Sequence, residues 1–583
     1  MKIKYLSLAL ISLALASCAN NNASKEAKLT ESLDSKVYFG GLTPEMTGSL
    51  PCSFFDVAED VPYVTFGDFT HFFNHDLNND KEIFSSDENS ITNCRNGSKL
   101  VFDVENNKIT CSDFDLFLSR VSGMSSIHYD PFGAIDDPIA SLNKEKSTRA
   151  AGKPMSWNLD DYYMKLVKHD GKVYVPYSLL QSFCLSNQGI GLSFNGNDFY
   201  LPQVASMYKD MKTKELNDYG NAYYSGPLAK IEKRSEGYSK YFYGSFLFTM
   251  ENFNGKVSGM NFSRLDTELD SRGLKKKLLS SDSITADSAI AETINTMFPD
   301  GGHTMFWNCG VTCEPDLLNR DYLTLMAGMQ KTDTRAAANI TVREFLHGLR
   351  GSTEVTEPLK MSGETAIITF DHFAINRDST TSLPITPTLD NIASDKTSTF
   401  GILYNSFKEI EKNSSIKNVV IDVSCNGGGA AWALGETLGF LTNGDVPFTL
   451  KNPVTGGTTT EYVNYDTDLD GDFADEDSYE GKYDFYILTS SFSFSCGNAL
   501  PCVAKENGYA KIIGRQSGGG DCVVGYGFAV DGTYWQMSGA ASITRKDGSS
   551  VDDGASVDYR IDYHHFYDVD WIDSYLKETK SAA

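Results

Sequence analysis

Positive charge is scarce in this chain. Its 51 lysines and arginines face 77 acidic residues, giving a formal charge of −26 over 583 residues. Such a chain repels a phosphate backbone, which excludes nucleic acid as a partner. Histidine is rarer still, at nine residues, so a general base or a histidine metal site has few candidates. Beyond the amino-terminal segment no run is long and apolar enough to span a bilayer as a helix. The rest of the composition is globular, 41% hydrophobic and 12% aromatic. The chain is too long for a single core, and about two to four domains are expected.

The amino terminus reads as an export signal over residues 1–17. Lys2 and Lys4 precede an apolar run from Tyr5 to Ala16, short for a spanning helix and suited to a signal segment. The run ends in Leu15-Ala16-Ser17-Cys18, which resembles a bacterial lipobox. That resemblance implies cleavage before Cys18, lipidation of its thiol, and an extracytoplasmic protein held at a membrane by lipid alone. Residues 18–35 are small and polar and read as a tether. The later cysteines are Cys52, Cys94, Cys111, Cys184, Cys309, Cys313, Cys425, Cys496, Cys502 and Cys522. Their even number permits disulfides in an exported chain without fixing a pairing. Cys309 and Cys313 have metal-like spacing but no second ligand pair nearby, so a local disulfide or free thiols fit better than zinc.

Residues 36–205 read as short strands and turns in a small, mainly β module. Two pieces look related: VPYVTFGDFTHFF followed by GSKLVFDVENNKITC, and KVYVPYSLLQSFC followed by IGLSFNGNDFYL. Each predicts a strand, a short amphipathic helix and a hairpin turning on Asn or Gly. This resembles the N-terminal module of copper amine oxidases and of many bacterial surface proteins. No histidine cluster accompanies it, so no copper is implied. Residues 206–360 read as a helical subdomain, with SAIAETINTMF at helical spacing before an Asp-Gly-Gly-His turn. From 361 to 575 strands and helices alternate. TAIITFDHF, NVVIDV, DFYILTS and AKIIG are strands. TFGILYNSFKEIEKN, AAWALGETLGFL and GNALPCVAKENG are helices, the last broken near its start by Pro501. Alternation of this kind predicts an α/β sheet covered by helices.

Two strand ends carry chemistry. After Asp422 come Val423-Ser424-Cys425-Asn426-Gly427-Gly428-Gly429, whose backbone amides suit a developing oxyanion. After the strand ending near Thr489 comes Ser-Ser-Phe-Ser-Phe-Ser495-Cys496-Gly-Asn498, which places a serine at the carboxyl end of a strand and the start of a helix. Either segment alone is better read as a plain turn or a helix cap. Their order and spacing resemble the C-terminal processing (tail-specific) serine peptidase family and its tricorn-like branch. The resemblance covers about 200 residues. It implies a ClpP/crotonase-like α/β core and a protein or peptide substrate. Ser495 would be the nucleophile, with Ser493 the alternative should the register slip by two. Gly427 or Gly428, together with Cys496, would form the oxyanion hole. Cys496 itself reads as packing more readily than as a catalytic thiol.

The Ser–Lys members place their base after the last family motif, matched here by Gly514 to Gly520. This chain has no lysine from there to Arg545. Asp300-Gly301-Gly302-His303-Thr304 resembles the histidine turn of the tricorn-like branch, which makes His303 the implied base. The family's late carboxylate maps onto Asp553, with Asp552 the alternative. Two departures, Ser424 for arginine and Asn498 for glutamate, favour a different reading: an inactive scaffold acting as a surface binding protein, as retinoid-binding proteins resemble this family. A third reading makes the N-terminal module an adhesin. No PDZ pattern lies between Thr304 and Lys360, so tail specificity is not implied. No cofactor is required for catalysis. Separately, Asp466, Asp468 and Asp470 with Gly471, followed by Asp472 and Asp477, follow a calcium-loop spacing. That pattern reads equally as a structural Ca2+ site or a plain acidic loop.

Overall fold

The computed structural model describes residues 27–39, 45–73, 83–87, 89–95, 97–118, 137–186, 191–201, 207–210, 215–312, 333–377, 385–473 and 477–582. The signal segment, Cys18 and Cys313 lie outside these residues.

The carboxyl-terminal region is built on a six-stranded sheet. Its spatial order is Leu359–Ser362, Thr365–Thr369, Asn418–Asp422, Asp484–Thr489, Lys511–Gly514 and Tyr559–Arg560. All neighbours are parallel except the first pair, a hairpin at the edge. The central strand NVVID is buried along its whole length, as a parallel strand covered on both faces must be. The helix Thr399–Ile410 lies on one side, entered through Ser398, whose hydroxyl accepts the Gly401 N–H at 2.9 Å. The helix Val569–Ala582 packs on the first two strands. The helix Cys496–Asn507 runs unbroken through Pro501, contrary to the expected break. Pro501 withholds one donor, and the buried packing around it outweighs that loss.

Both predicted strand–helix–hairpin units are present. The first is Ala58–Thr65, Phe66–Phe73, Ser98–Asp103 and Lys108–Cys111. The second is Lys172–Pro176, Tyr177–Cys184, Ser193–Phe194 and Phe199–Tyr200. Their leading strands pair with each other, Val175 opposite Val64.

The structure departs from the sequence reading in how these regions join. A second, antiparallel sheet runs Met305–Asn308, Tyr534–Thr544, Val446–Lys451, Thr458–Tyr465 and Ala140–Leu142, with Cys522–Phe528 beside Tyr534–Thr544. It joins strands from all three expected domains. One apolar core then extends from Val37 to Met297 and takes in Val530, Trp535 and Met537. The boundaries placed near 205 and 360 are therefore not boundaries in packing. Arg234 shows why. Its fully buried guanidinium bonds Asp287 at 2.7 Å and Asp531 at 2.5 Å, two carboxylates nearly 250 residues apart in sequence, and lies over the Phe242 ring. Removing one partner from such a cluster strands buried charge. Arg234→Ala is expected to cost about 3–5 kcal/mol in denaturant unfolding. Cys52, Cys111, Cys309, Cys425, Cys496, Cys502 and Cys522 are buried free thiols, so none of these seven forms a disulfide.

Candidate active site

Asp422 and Leu488 face each other at the carboxyl ends of adjacent parallel strands, so the two motifs emerge side by side. The glycine loop is shaped by Asn426, fully buried. Its amide donates to Phe370 O at 3.0 Å, its side-chain oxygen accepts the Gly428 N–H at 2.8 Å, and its carbonyl accepts Phe494 N–H at 3.1 Å. Gly428 sits at φ +108, and a Cβ there would lie 2.6 Å from Ser495 Cβ and 3.0 Å from Phe494 O. Only glycine admits the serine turn so closely. Gly428→Ala is expected to displace the Ser495 turn and, on the serine-peptidase expectation, to lower kcat/KM by about 100-fold or more in a peptide-cleavage assay.

Ser495 is the one non-glycine residue of this site with positive φ. It adopts φ 56, ψ −122 immediately before the helix Cys496–Asn507, and it is partly exposed. Such backbone costs on the order of 1–3 kcal/mol and persists where the surrounding structure enforces it. The enforcement is visible: Ser495 N–H donates to Gly519 O at 2.9 Å, while its carbonyl accepts the Asn498 and Ala499 N–H groups. The strained turn presents Oγ at a helix amino terminus, the geometry of a nucleophile elbow. Ser493 is placed differently. It is fully buried, and its hydroxyl donates to Val423 O at 2.8 Å and accepts Ser490 N–H at 3.0 Å. It is a bracket between two strands.

The oxyanion candidates separate in the same way. Gly428 N–H is already given to Asn426, which corrects its assignment as a donor. Among the described residues neither Gly427 N–H nor Cys496 N–H donates to a backbone carbonyl. Cys496 opens its helix, where amides have no helical acceptor. The Cys496 thiol donates to Gly429 O at 3.2 Å, and burial pushes it up to about 12, so it is packing.

His303 stands between the helix Ser283–Met297 and the strand Met305–Asn308. The turn is held by Asp300, which accepts Thr304 N–H at 2.8 Å and the hydroxyls of Thr304 and Ser538. Gln536 donates to His303 O at 2.9 Å. The imidazole packs edge-on against Phe494, centroids 4.7 Å apart, which brings it beside the residue preceding Ser495. Burial lowers its pKa below the ordinary value, opposed by the carboxylates of Asp300, Asp521 and Asp552 and reinforced by Lys256. Its Nδ1 is buried without a hydrogen-bond partner among the described residues.

Of the two late carboxylates, Asp553 is exposed and paired with Arg545 at 2.6 Å, so it does not orient His303. Asp552, its neighbour across the turn, faces inward. It accepts from Gly520 N–H at 2.8 Å, Arg335 at 3.1 Å and Lys256 at 3.1 Å. The sequence reading missed Lys256, Arg335 and Asp521. Lys256 also pairs with Asp521 at 2.5 Å, which with two serine hydroxyls holds that carboxyl down near about 2. No local motif announces this network, because its members lie on four separate segments. Asn498 and Ser424, the two departures, are both tied into structure. Asn498 holds Val551 O at 2.9 Å and the Ser517 hydroxyl at 2.6 Å, fastening the segment that carries Asp552. Ser424 N–H donates to the buried carboxylate of Asp422.

At the acidic loop, carboxylate oxygens of Asp466, Asp468, Asp470 and Asp477 lie within 4.8 Å of one another. Asp472 is not among them, a correction to the sequence reading. Its backbone N–H instead fixes Asp470 at 2.9 Å.

No curated protein matches the chain. Solved structures resemble parts of it at low identity. The photosystem II D1 C-terminal processing protease is similar over 36% of this chain and 50% of its own, at 16% identity and a TM-score of 0.27. A lipoprotein from Streptococcus agalactiae is similar over 58% and 96%, at 13% identity and a TM-score of 0.35. Mature CPAF is similar over 57% and 94%, at 11% identity and a TM-score of 0.34. The chain thus spans half the length of the first of these. Residues 391–561, which carry the glycine loop and the serine turn, match the family model for peptidase family S41. Residues 391–561 are thus similar to the domain of peptidase family S41, a family of serine peptidases.

Proposed function

We propose that the protein is an exported, lipid-anchored endopeptidase that cleaves proteins or peptides by a Ser495–His303 mechanism. The observation that carries this reading is the strained backbone of Ser495, which holds an accessible hydroxyl against the glycine loop at a helix amino terminus. Ser495 Oγ attacks the scissile carbonyl and passes its proton to His303. The resulting oxyanion is held by the Gly427 and Cys496 amides. His303 then protonates the leaving amine, and water repeats the sequence on the acyl-enzyme. Burial supports the base role by keeping the imidazole neutral near pH 7. Asp552 contributes negative charge to the imidazolium that forms. It does not bond the ring in the free enzyme, and catalytic contacts of this kind often tighten only with substrate. Export and anchoring through Cys18 rest on the amino-terminal sequence alone.

A fluorophosphonate probe followed by peptide mass mapping tests the reading. Label is expected on Ser495, lost in Ser495→Ala and strongly reduced in His303→Ala. A folded protein that takes no label would favour the surface binding protein built on a peptidase scaffold.

A further inference from the structure

The acidic loop plays no part in that chemistry, yet it holds an unexplained group. Asp477 is only 4% exposed, and its Oδ2 has no hydrogen-bond partner among the described residues. A buried carboxylate oxygen without a partner is costly. It faces three further carboxylates rather than a donor. Backbone amides restrain those three: Leu469 and Gly471 N–H bond the two oxygens of Asp466, Asp470 N–H bonds Asp468, and Asp472 N–H bonds Asp470. The donors that hold the cluster in place leave its centre without one.

We propose that Asp466, Asp468, Asp470 and Asp477 bind one calcium ion. The ion supplies the partner that Asp477 lacks and offsets the repulsion among four carboxylates. The size fits. Oxygens on opposite sides of Ca2+ lie about 4.6–5.2 Å apart, and the oxygens here all lie within 4.8 Å of one another. The ion clasps two segments that support the helix following the glycine loop, Ala431–Gly439. Asp466 follows Tyr465, whose ring fills the space opposite Gly435 and Gly439. Asp477 leads to Tyr479, which donates its N–H to Phe440 O at 3.1 Å and stacks on Phe407 at 4.1 Å. The role is bracing rather than chemistry.

The test uses the full chain stripped with EGTA, read by isothermal titration and by thermal melting. Calcium is expected to bind with a stoichiometry near one and to raise Tm by about 3–8 °C at saturation. Asp470→Asn and Asp477→Asn are expected to abolish that rise. Without calcium, Asp477→Asn should melt no lower than the parent, since it removes a repelled carboxylate. A chain this acidic also collects cations loosely. Absence of saturable binding, or a Tm rise that both variants leave intact, would overturn the site. An equal rise with magnesium would overturn the assignment to calcium.

Discussion

Replacing Ser495 by alanine is expected to abolish peptide cleavage, with kcat falling by about 10⁴-fold or more. The fold should survive, because the site is organised by backbone groups rather than by the hydroxyl. Gly519 O accepts the Ser495 amide, and the following helix takes its carbonyl. Alanine adopts φ 56 no more readily than serine does, so the change is expected to leave Tm within a few degrees. Ser493→Ala should behave in the opposite way. It removes a buried hydroxyl that bridges Val423 and Ser490, so it lowers stability by about 1–3 kcal/mol while the remaining folded protein stays active. Peptide turnover and Tm measured on both variants separate nucleophile from bracket. Full activity in Ser495→Ala would remove the nucleophile assignment outright.

His303→Ala is expected to cost nearly as much, because a nucleophile and its base act as a unit. The pH profile makes the expectation sharper. Burial lowers the His303 pKa below the ordinary 6.5, so the acid limb of kcat/KM should have its midpoint below 6.5. Stability follows the same sign. The folded state prefers the neutral ring, so that contribution is fully present above the unfolded pKa and is lost as pH falls through the folded one. In His303→Ala the corresponding slope in denaturant midpoint against pH should flatten. An acid limb above 6.5 would assign the titration to another group.

Much of the catalytic sheet was legible because its strands are buried on both faces and read as unbroken apolar runs. NVVID and FYILT need no partner information to be recognised, and the glycine and serine turns at their ends follow. The two strand–helix–hairpin units were legible through local turn chemistry. The second sheet was not. It pairs Met305–Asn308 with Tyr534–Thr544 and Thr458–Tyr465 with Ala140–Leu142, and no local period encodes such partners. The late carboxylate failed for a different reason. Asp552 and Asp553 are adjacent in one turn, and only the placement of Arg335, Lys256 and Arg545 decides which faces inward. Pro501 misled because a rule about isolated helices was applied to one buried in a core.

On the proposed roles, the antiparallel strand pair Met305–Asn308 and Tyr534–Thr544 also governs when the enzyme comes into being. The base is made about midway through synthesis and the nucleophile later, and the pair that positions the base closes a loop of more than 200 residues. Contacts so far apart in sequence form late in folding. An unfolded chain, or one that ends between Ser495 and Tyr534, therefore carries both reactive side chains and yet no complete site. The topology acts as a safety catch, released only when the last strands dock.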